Sequence, residues 1–163
     1  MLVWMPLPWL STTVVKSCTT VLVRILHRSN LDDSLMLSLD DVHVPTLTVE
    51  QTLQFVLRLK TPGPAGRQAG IKRKDFDKEV LDTLLKMLNI SHTKHTLVGD
   101  AFVRGVSGGE KKRVSIAEMM ATRARVQCWD NATRGLDAST ALDFVKSLRV
   151  MTDVLGQTTF VTL

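Results

Sequence analysis

The sequence lacks the features that mark a secreted or membrane protein. It has two cysteines and no tyrosine among 163 residues. Cys18 and Cys128 lie far apart and no Cys-x-x-Cys pair occurs, so neither a disulfide framework nor a zinc site is indicated. The apolar opening, residues 1–15, is shorter than the ~20 residues that span a bilayer. It also lacks the basic start of a secretory signal, because the first cation is Lys16. We therefore expect a reducing, cytosolic setting, with neither secretion nor a membrane helix.

Glycine is absent from the first part of the chain, since the first one is Gly63. A phosphate-binding P-loop needs the pattern Gly-x-x-x-x-Gly-Lys-Ser/Thr, because its glycine backbone wraps the phosphates and its lysine neutralises them. The amino-terminal region therefore cannot carry a P-loop.

The composition that remains is that of a globular chain. Apolar residues make up 44% and charged residues 23%, and the length allows one domain or part of one. The net charge of +5 would permit nucleic acid as a partner. However, the local cations are interspersed with Glu110 and Glu118 on a predicted helix, which is typical of a solvated face. These cations are Arg104, Lys111, Lys112, Arg113, Arg123 and Arg125.

Two amphipathic helices are predicted in the middle of the chain. Thr48 followed by Gln51 predicts a capping box. It opens a helix that ends near Thr61 and buries Val49, Leu53, Val56 and Leu57. After a Pro/Gly-rich loop, a second helix carries one apolar stripe, formed by Phe76, Val80, Leu81, Leu84, Leu85 and Leu88.

The carboxy-terminal part predicts a β-α-β unit. Residues 106–124 form a glycine turn and a helix with five residues facing inward: Val114, Ala117, Met120, Ala121 and Ala124. A buried strand at 126–129 ends at Asp130. The next helix, 138–155, stops at Gly156 and buries Leu142, Val145, Leu148, Met151 and Leu155. A strand at 158–162 follows, so the fold class is α/β with a parallel sheet.

The sharpest chemical signal is the turn formed by Ser107, Gly108, Gly109 and Glu110. Two glycines at the positive end of a helix let backbone N–H groups approach an anion without a Cβ in the way. The Ser107 hydroxyl either contacts the same anion or caps the helix. The turn is thus a candidate phosphate site.

The order of these features resembles the signature, Walker B and D-loop motifs of ATP-binding cassette (ABC) proteins. The signature is the 107–110 turn, Walker B ends at Asp130, and residues 135–137 are the candidate D-loop. The strings at 41–49, 60–62, 103–110 and 128–137 are similar to the N-terminal nucleotide-binding domain of fungal pleiotropic drug resistance transporters, from about Asp40 to the end of the chain.

The resemblance implies a partial P-loop NTPase fold. Residues 1–39 are then a divergent, mis-spliced or frame-shifted segment at the position where the P-loop is expected. Within 40–163, a helical signature subdomain covers about 46–124, and the Walker B and D-loop part covers 125–163. Ser17, Cys18, Thr19 and Thr20 faintly resemble the Gly-Cys-Thr-Thr ending of the family's lysine-lacking P-loop, with Ser17 in place of the glycine. Ser38 and Leu39 occupy the position of the polar Q-loop residue.

The resemblance also assigns roles to residues. Ser107, Gly108, Gly109 and Glu110 would close over ATP held by a partner domain's P-loop. Asp130 would hold Mg²⁺. Asn131 occupies the general-base position, where an amide cannot accept a proton. Asp137 would communicate across the dimer or serve as an ordinary charge at a helix N-terminus.

The implied function is that of a fragment of a drug-efflux ATPase. Its partners would be a second nucleotide-binding domain, transmembrane domains and a small-molecule drug, with no nucleic acid. It would lie at the cytosolic face of a membrane through the full transporter, while the isolated chain would be cytoplasmic and inactive as an ATPase.

Two alternatives belong to other classes. One is a soluble ABC ATPase that acts on nucleic acid or ribosomes. The other is a truncated product that does not fold, because its sheet would keep an exposed edge.

His92 and His95 lack a third ligand for a metal site. Trp129 is interpreted as core packing within its strand.

Overall fold

The computed structural model describes residues 34–37, 42–64, 67 and 70–161. The chain divides into two units, 1–34 and 35–163, and the description below concerns the second. The predictions for residues 17–20, 38 and 39 lie outside the described residues. The elements, in chain order, are β1 (Ser34–Leu37), α1 (Val49–Lys60), α2 (Arg73–Met87), a 3₁₀ turn (Ser91–Thr93), α3 (Gly108–Ala121), β2 (Val126–Trp129), α4 (Ala138–Leu155) and β3 (Thr158–Val161).

Helix α1 begins at the predicted capping box. The Thr48 hydroxyl accepts a hydrogen bond from Gln51 N at 3.2 Å, and Gln51 Oε1 accepts one from Thr48 N at 2.9 Å. These bonds satisfy two of the amide donors that a helix N-terminus leaves open. Helix α1 ends at Lys60 and buries Val49, Leu53 and Leu57, as the spacing predicts.

Helices α1, α2 and α3 pack on one another around a common apolar core. Leu81, Leu84, Leu85 and Leu88 of the predicted stripe are buried. Helix α3 ends at Ala121, three residues before the predicted end. It buries four of the predicted inward residues as well as Ile116 and Met119, and the fifth, Ala124, is buried just beyond the helix. A helix that is apolar on most of its sides is one that lies in the core of a protein. Helix α3 therefore carries the Ser107–Glu110 turn on a firmly packed support.

The strands β2 and β3 pair in parallel, with Val126 opposite Thr158 and Trp129 opposite Val161. In the described part of the chain the strand order is β1-β2-β3. Helix α4 connects the parallel pair and ends at Gly156, whose φ of +65° is the left-handed conformation expected just past a helix. The predicted β-α-β unit and the α/β class are confirmed.

The predicted inward face of α4 is partly wrong. Leu142, Val145 and Leu155 are 54%, 43% and 49% exposed. Leu148 and Met151 are buried as predicted, and Phe144 and Ser147 are buried beside them. Helix α4 has apolar residues on two adjacent faces, so spacing alone cannot choose between them. The choice is made by the Trp129 ring on β2, against which Phe144 packs.

The division of the chain at Asp40 and the subdomain limits at 46–124 and 125–163 stay predictions.

Candidate functional site

The turn that begins α3 is a second capping box. The Ser107 hydroxyl oxygen accepts a hydrogen bond from Glu110 N at 3.3 Å. The Glu110 carboxylate oxygen Oε2 in turn accepts from both Ser107 N and Ser107 Oγ, each at 2.8 Å. The sequence has Ser at the N-cap and Glu three residues on, which is the pattern that produces this geometry. Ser107 thus caps the helix in this conformation.

The two glycines of this turn face open space. A Cβ added to Gly108 or Gly109 would meet no heavy atom within 4 Å. Ser107 and Gly108 are exposed, and Gly109 is half-buried. The first amide donors of a helix lack partners within the helix, and the helix dipole gives them a positive character. The turn therefore has the room and the polarity to receive an anionic group.

Glu110 is held by a residue that the sequence reasoning did not connect with it. Its Oε1 lies 2.8 Å from Nε2 of His92, in the 3₁₀ turn. The Ser107 backbone N–H, together with His92 and the Ser107 hydroxyl, lowers the pKa of Glu110 to about 2. Glu110 is therefore ionised at neutral pH. No local signal could have revealed the pair, because the two residues are brought together only by the packing of the 3₁₀ turn beside α3.

A tight loop, residues 99–105, precedes the Ser107–Glu110 turn. A Cβ on Gly99 would lie 2.6 Å from Gly105 Cα, and a Cβ on Gly105 would lie 2.4 Å from Val98 O. Only glycine permits this approach of two backbones. Asp100 Oδ1 closes the loop by accepting from Phe102 N and Val103 N at 2.8 Å. These backbone bonds lower the pKa of Asp100. The loop leads directly into Val106 and Ser107.

Arg113 fastens α3 to the end of α2. Its Nη1 donates to the carbonyls of Leu88 and Asn89, both at 3.2 Å. Its Nε donates to the carbonyl of Gly109 at 3.2 Å. An Arg side chain is well suited to the unpaired carbonyls at a helix C-terminus. One side chain therefore connects the glycine turn to the neighbouring helix.

His43 makes a further long-range contact to α3. Its side chain is 2% exposed, and its Nδ1 lies 3.4 Å from Oε2 of Glu118. Its Nε2 lies 2.9 Å from the Ser115 hydroxyl. The segment before α1 is thereby bound to the middle of α3. Sequence reasoning did not single out this residue.

Asp130 and Asn131 lie at the carboxyl end of β2. Asn131 has a φ of +49°, a left-handed conformation that asparagine tolerates better than most residues. The following turn contains the bonds Arg134 N to Asn131 O and Leu136 N to Thr133 O. The described residues contain no group of three His, Cys, Asp or Glu side chains able to hold a metal. A Mg²⁺ ion at Asp130 would thus need water and phosphate oxygens for its other ligands.

Asp137 is the N-cap of α4. Its carboxylate accepts from Thr140 N at 3.1 Å and from Thr140 Oγ1 at 2.5 Å. These bonds, with the Thr140 side chain contributing most, lower the pKa of Asp137. The sequence left two roles open for Asp137. The structure shows it as the charged residue at the N-terminus of α4, and communication across a dimer stays a prediction.

The predicted site residues thus form two groups. Ser107, Gly108, Gly109 and Glu110 form one continuous turn at the start of α3. Asp130, Asn131 and Asp137 lie on the connection between β2 and α4. No helix in the described part of the chain combines the length and apolar character that crossing a bilayer requires.

Comparison with known proteins identifies the class that this fold and these motifs define. A sequence model of the family described as "ABC transporter" matches residues 21–134. The chain belongs to the ABC transporter family, which makes ATP its expected nucleotide.

The curated relatives narrow this class. The chain is 62% identical over 124 residues to ABC multidrug transporter I of Aspergillus fumigatus. It is 60% identical over 128 residues to ABC multidrug transporter atrF of the same fungus and 52% identical over 123 residues to Protein SNQ2 of Saccharomyces cerevisiae. Each match covers 76% of this chain and 8% of the relative. The similarity to fungal drug transporters predicted from the sequence is confirmed, and it favours this interpretation over a soluble ABC ATPase that acts on nucleic acid.

Proposed function

We propose that this chain supplies the signature turn, Ser107 to Glu110, to an ATP site whose phosphates are held by the P-loop of a partner nucleotide-binding domain in a drug-efflux transporter. The observation that carries the proposal is the open N-terminal turn of α3. Gly108 and Gly109 have free space where a side chain would stand, and the turn is on the surface. Backbone amides at a helix N-terminus bind phosphate oxygens without needing a cation.

The chain offers one face of such a site. The given sequence holds no Gly-x-x-x-x-Gly-Lys-Ser/Thr pattern. In this proposal the triphosphate is held mainly by another domain. The amides of Gly108 and Gly109 would stabilise negative charge on the γ-phosphate during its transfer to water.

The other motif residues would have limited chemical roles. Asp130 would bind Mg²⁺ through water, since it is not part of a larger ligand cluster in the described residues. Asn131 cannot act as the general base, because an amide does not accept a proton near neutral pH. The chain would lie at the cytosolic face of a membrane through the transmembrane domains of the full transporter. By itself it would neither bind MgATP with micromolar affinity nor hydrolyse it.

A segment exchange tests this proposal. Residues 42–161 would replace the matching segment of ABC multidrug transporter I of Aspergillus fumigatus, and ATP hydrolysis and drug export would be measured in membrane vesicles. We expect the exchanged transporter to be active. Gly109→Asp should then reduce hydrolysis by about tenfold or more, because a fixed negative charge repels the phosphates. This change should leave the fold intact, since the Cβ meets open space and an acidic residue in the first turn stabilises a helix.

The matched control is Gly63→Asp. Gly63 also has nothing within 4 Å of an added Cβ, and it is in the loop between α1 and α2. The same chemical change there should leave hydrolysis unaltered. Equal losses in the two variants, or no loss in Gly109→Asp, would contradict a phosphate-facing role for the turn. Micromolar binding of MgATP to the isolated chain, measured by calorimetry, would contradict the need for a partner's P-loop.

A further inference from the structure

The Glu110 carboxylate bridges two parts of the molecule. Its Oε2 accepts two hydrogen bonds from Ser107, and its Oε1 contacts Nε2 of His92. The Glu110 side chain is 19% exposed and that of His92 is 64% exposed, so the bridge lies at the surface beside the glycine turn.

This bridge bears directly on anion binding. A carboxylate beside the N-terminus of α3 carries the same sign of charge as a phosphate. If Oε1 of Glu110 were released from His92, the carboxylate could turn toward the amides of Gly108 and Gly109, which attract any anion. Glu110 would then compete with the nucleotide. His92 holds Oε1 in place. A protonated His92 would also offset the negative charge of the carboxylate.

His92 is itself firmly placed. The backbone turn beneath it is closed by Thr93 Oγ1, which donates to Ile90 O at 2.8 Å. Ile90 is fully buried, and its N–H donates to Leu85 O at 2.9 Å. The imidazole therefore projects from a fixed backbone at the end of α2, although its tip is exposed.

We propose that His92 is a positioning residue for the signature turn: it keeps the Glu110 carboxylate folded back onto Ser107, so that the amides of Gly108 and Gly109 stay available to a phosphate. This inference rests on the proposed function, in which the turn faces the nucleotide. It adds a residue outside the motif to the determinants of phosphate affinity.

The test uses the full 163-residue chain labelled with ¹⁵N and ¹³C. Inorganic tripolyphosphate is titrated to tens of millimolar, and the amide shifts of Gly108 and Gly109 give an apparent dissociation constant. We expect a weak but saturable response in the unaltered chain. His92→Ala should raise the constant about threefold, the size expected for losing one partly exposed ionic contact. His92→Gln should restore part of the affinity, because its amide can donate to Oε1 without a charge.

A second readout separates positioning from general damage. The ¹³C titration of Glu110 should show a higher pKa in His92→Ala, because the hydrogen bond and the charge of His92 both lower it. His95→Ala is the matched control. His95 is 81% exposed and lies 3.2 Å from Oε2 of Glu50, away from Glu110. Neither the tripolyphosphate constant nor the Glu110 titration should change in this variant.

The possible results distinguish the two proposals. If the glycine amides respond in the unaltered chain and equally in His92→Ala, the role of His92 is overturned and the proposed function stands. If they do not respond even in the unaltered chain, the turn is not an anion site and the proposed function fails with it. If His95→Ala weakens binding as much as His92→Ala, loss of a surface histidine is the cause, and the positioning role is overturned.

Discussion

Trp129 and Phe144 meet edge to face, with ring centroids 5.2 Å apart and planes inclined at 69°. Each ring is 1% exposed. Trp129 is the last residue of β2, directly before Asp130, and Phe144 lies on α4, which begins after Asp137. This aromatic contact therefore joins β2 to α4, the two elements that flank residues 130–137.

Phe144→Ala should lower the free energy of unfolding by about 3–5 kcal/mol, because it removes a buried ring and leaves a cavity against Trp129. Urea denaturation followed by Trp fluorescence measures the change. The neighbouring substitution Val145→Ala should cost about 0.5 kcal/mol or less, since Val145 is half exposed. A larger cost at position 145 than at 144 would mean that α4 buries the face predicted from its sequence.

Gly105→Ala should destabilise the chain by about 3 kcal/mol or prevent folding, because overpacking against rigid backbone cannot be relieved by a side-chain movement. The added methyl would lie 2.4 Å from Val98 O. Thermal unfolding monitored by circular dichroism is a suitable assay. Gly63→Ala, which adds the same methyl in open space, should leave the unfolding temperature within a few degrees of the original. Tolerance of alanine at 105 would argue against the close backbone approach.

Acid should weaken the fold through Glu110. Its folded-state pKa of about 2 lies below the ordinary value of 4.5, so its contribution to stability is present above pH 4.5. It is lost as the pH falls toward 2, where the carboxylate is protonated. Unfolding by urea at a series of pH values should show this loss in the unaltered chain. Glu110→Gln should show a smaller acid dependence, whereas the exposed Glu79→Gln should behave like the original. Identical acid profiles for the two variants would be the contrary result.

Replacing Asn131 by glutamate should cost backbone strain that replacing it by glycine avoids. At a φ of +49°, a residue with a Cβ and no local polar compensation loses about 1 kcal/mol. Asn131→Glu should thus lower the free energy of unfolding by about that amount, while Asn131→Gly should not incur this backbone cost. The glutamate variant should also fail to hydrolyse ATP as an isolated chain, because it has no P-loop pattern. Turnover by this variant, measured as phosphate release, would overturn that expectation.

The helices and strands could be predicted well where local signals were strong. Thr48 with Gln51, and Gly156 after an apolar helix, mark helix ends by chemistry that acts within a few residues. The largely apolar run 126–129 before Asp130 likewise marks a strand, although only Gln127 and Trp129 of its residues are buried. The motif residues Ser107 to Glu110 were found because their types and order are themselves the signal.

The remaining features depend on contacts between residues distant in sequence. The buried face of α4 was mistaken because two apolar faces were available and only the position of Trp129 decides between them. The pairs His92–Glu110 and His43–Ser115 join separate segments, so no spacing rule applies to them. Gly99 and Gly105 carried a weaker signal, since two glycines around Asp100 indicate a turn but not the approach of its two backbones.

Arg113 holds the carbonyl of Gly109 and, through the same guanidinium, the carbonyls at the end of α2. A displacement of the glycine turn along its axis would have to stretch these bonds or carry α2 with it. If the turn binds a triphosphate as proposed, any movement that binding causes should therefore involve the turn and the end of α2 together.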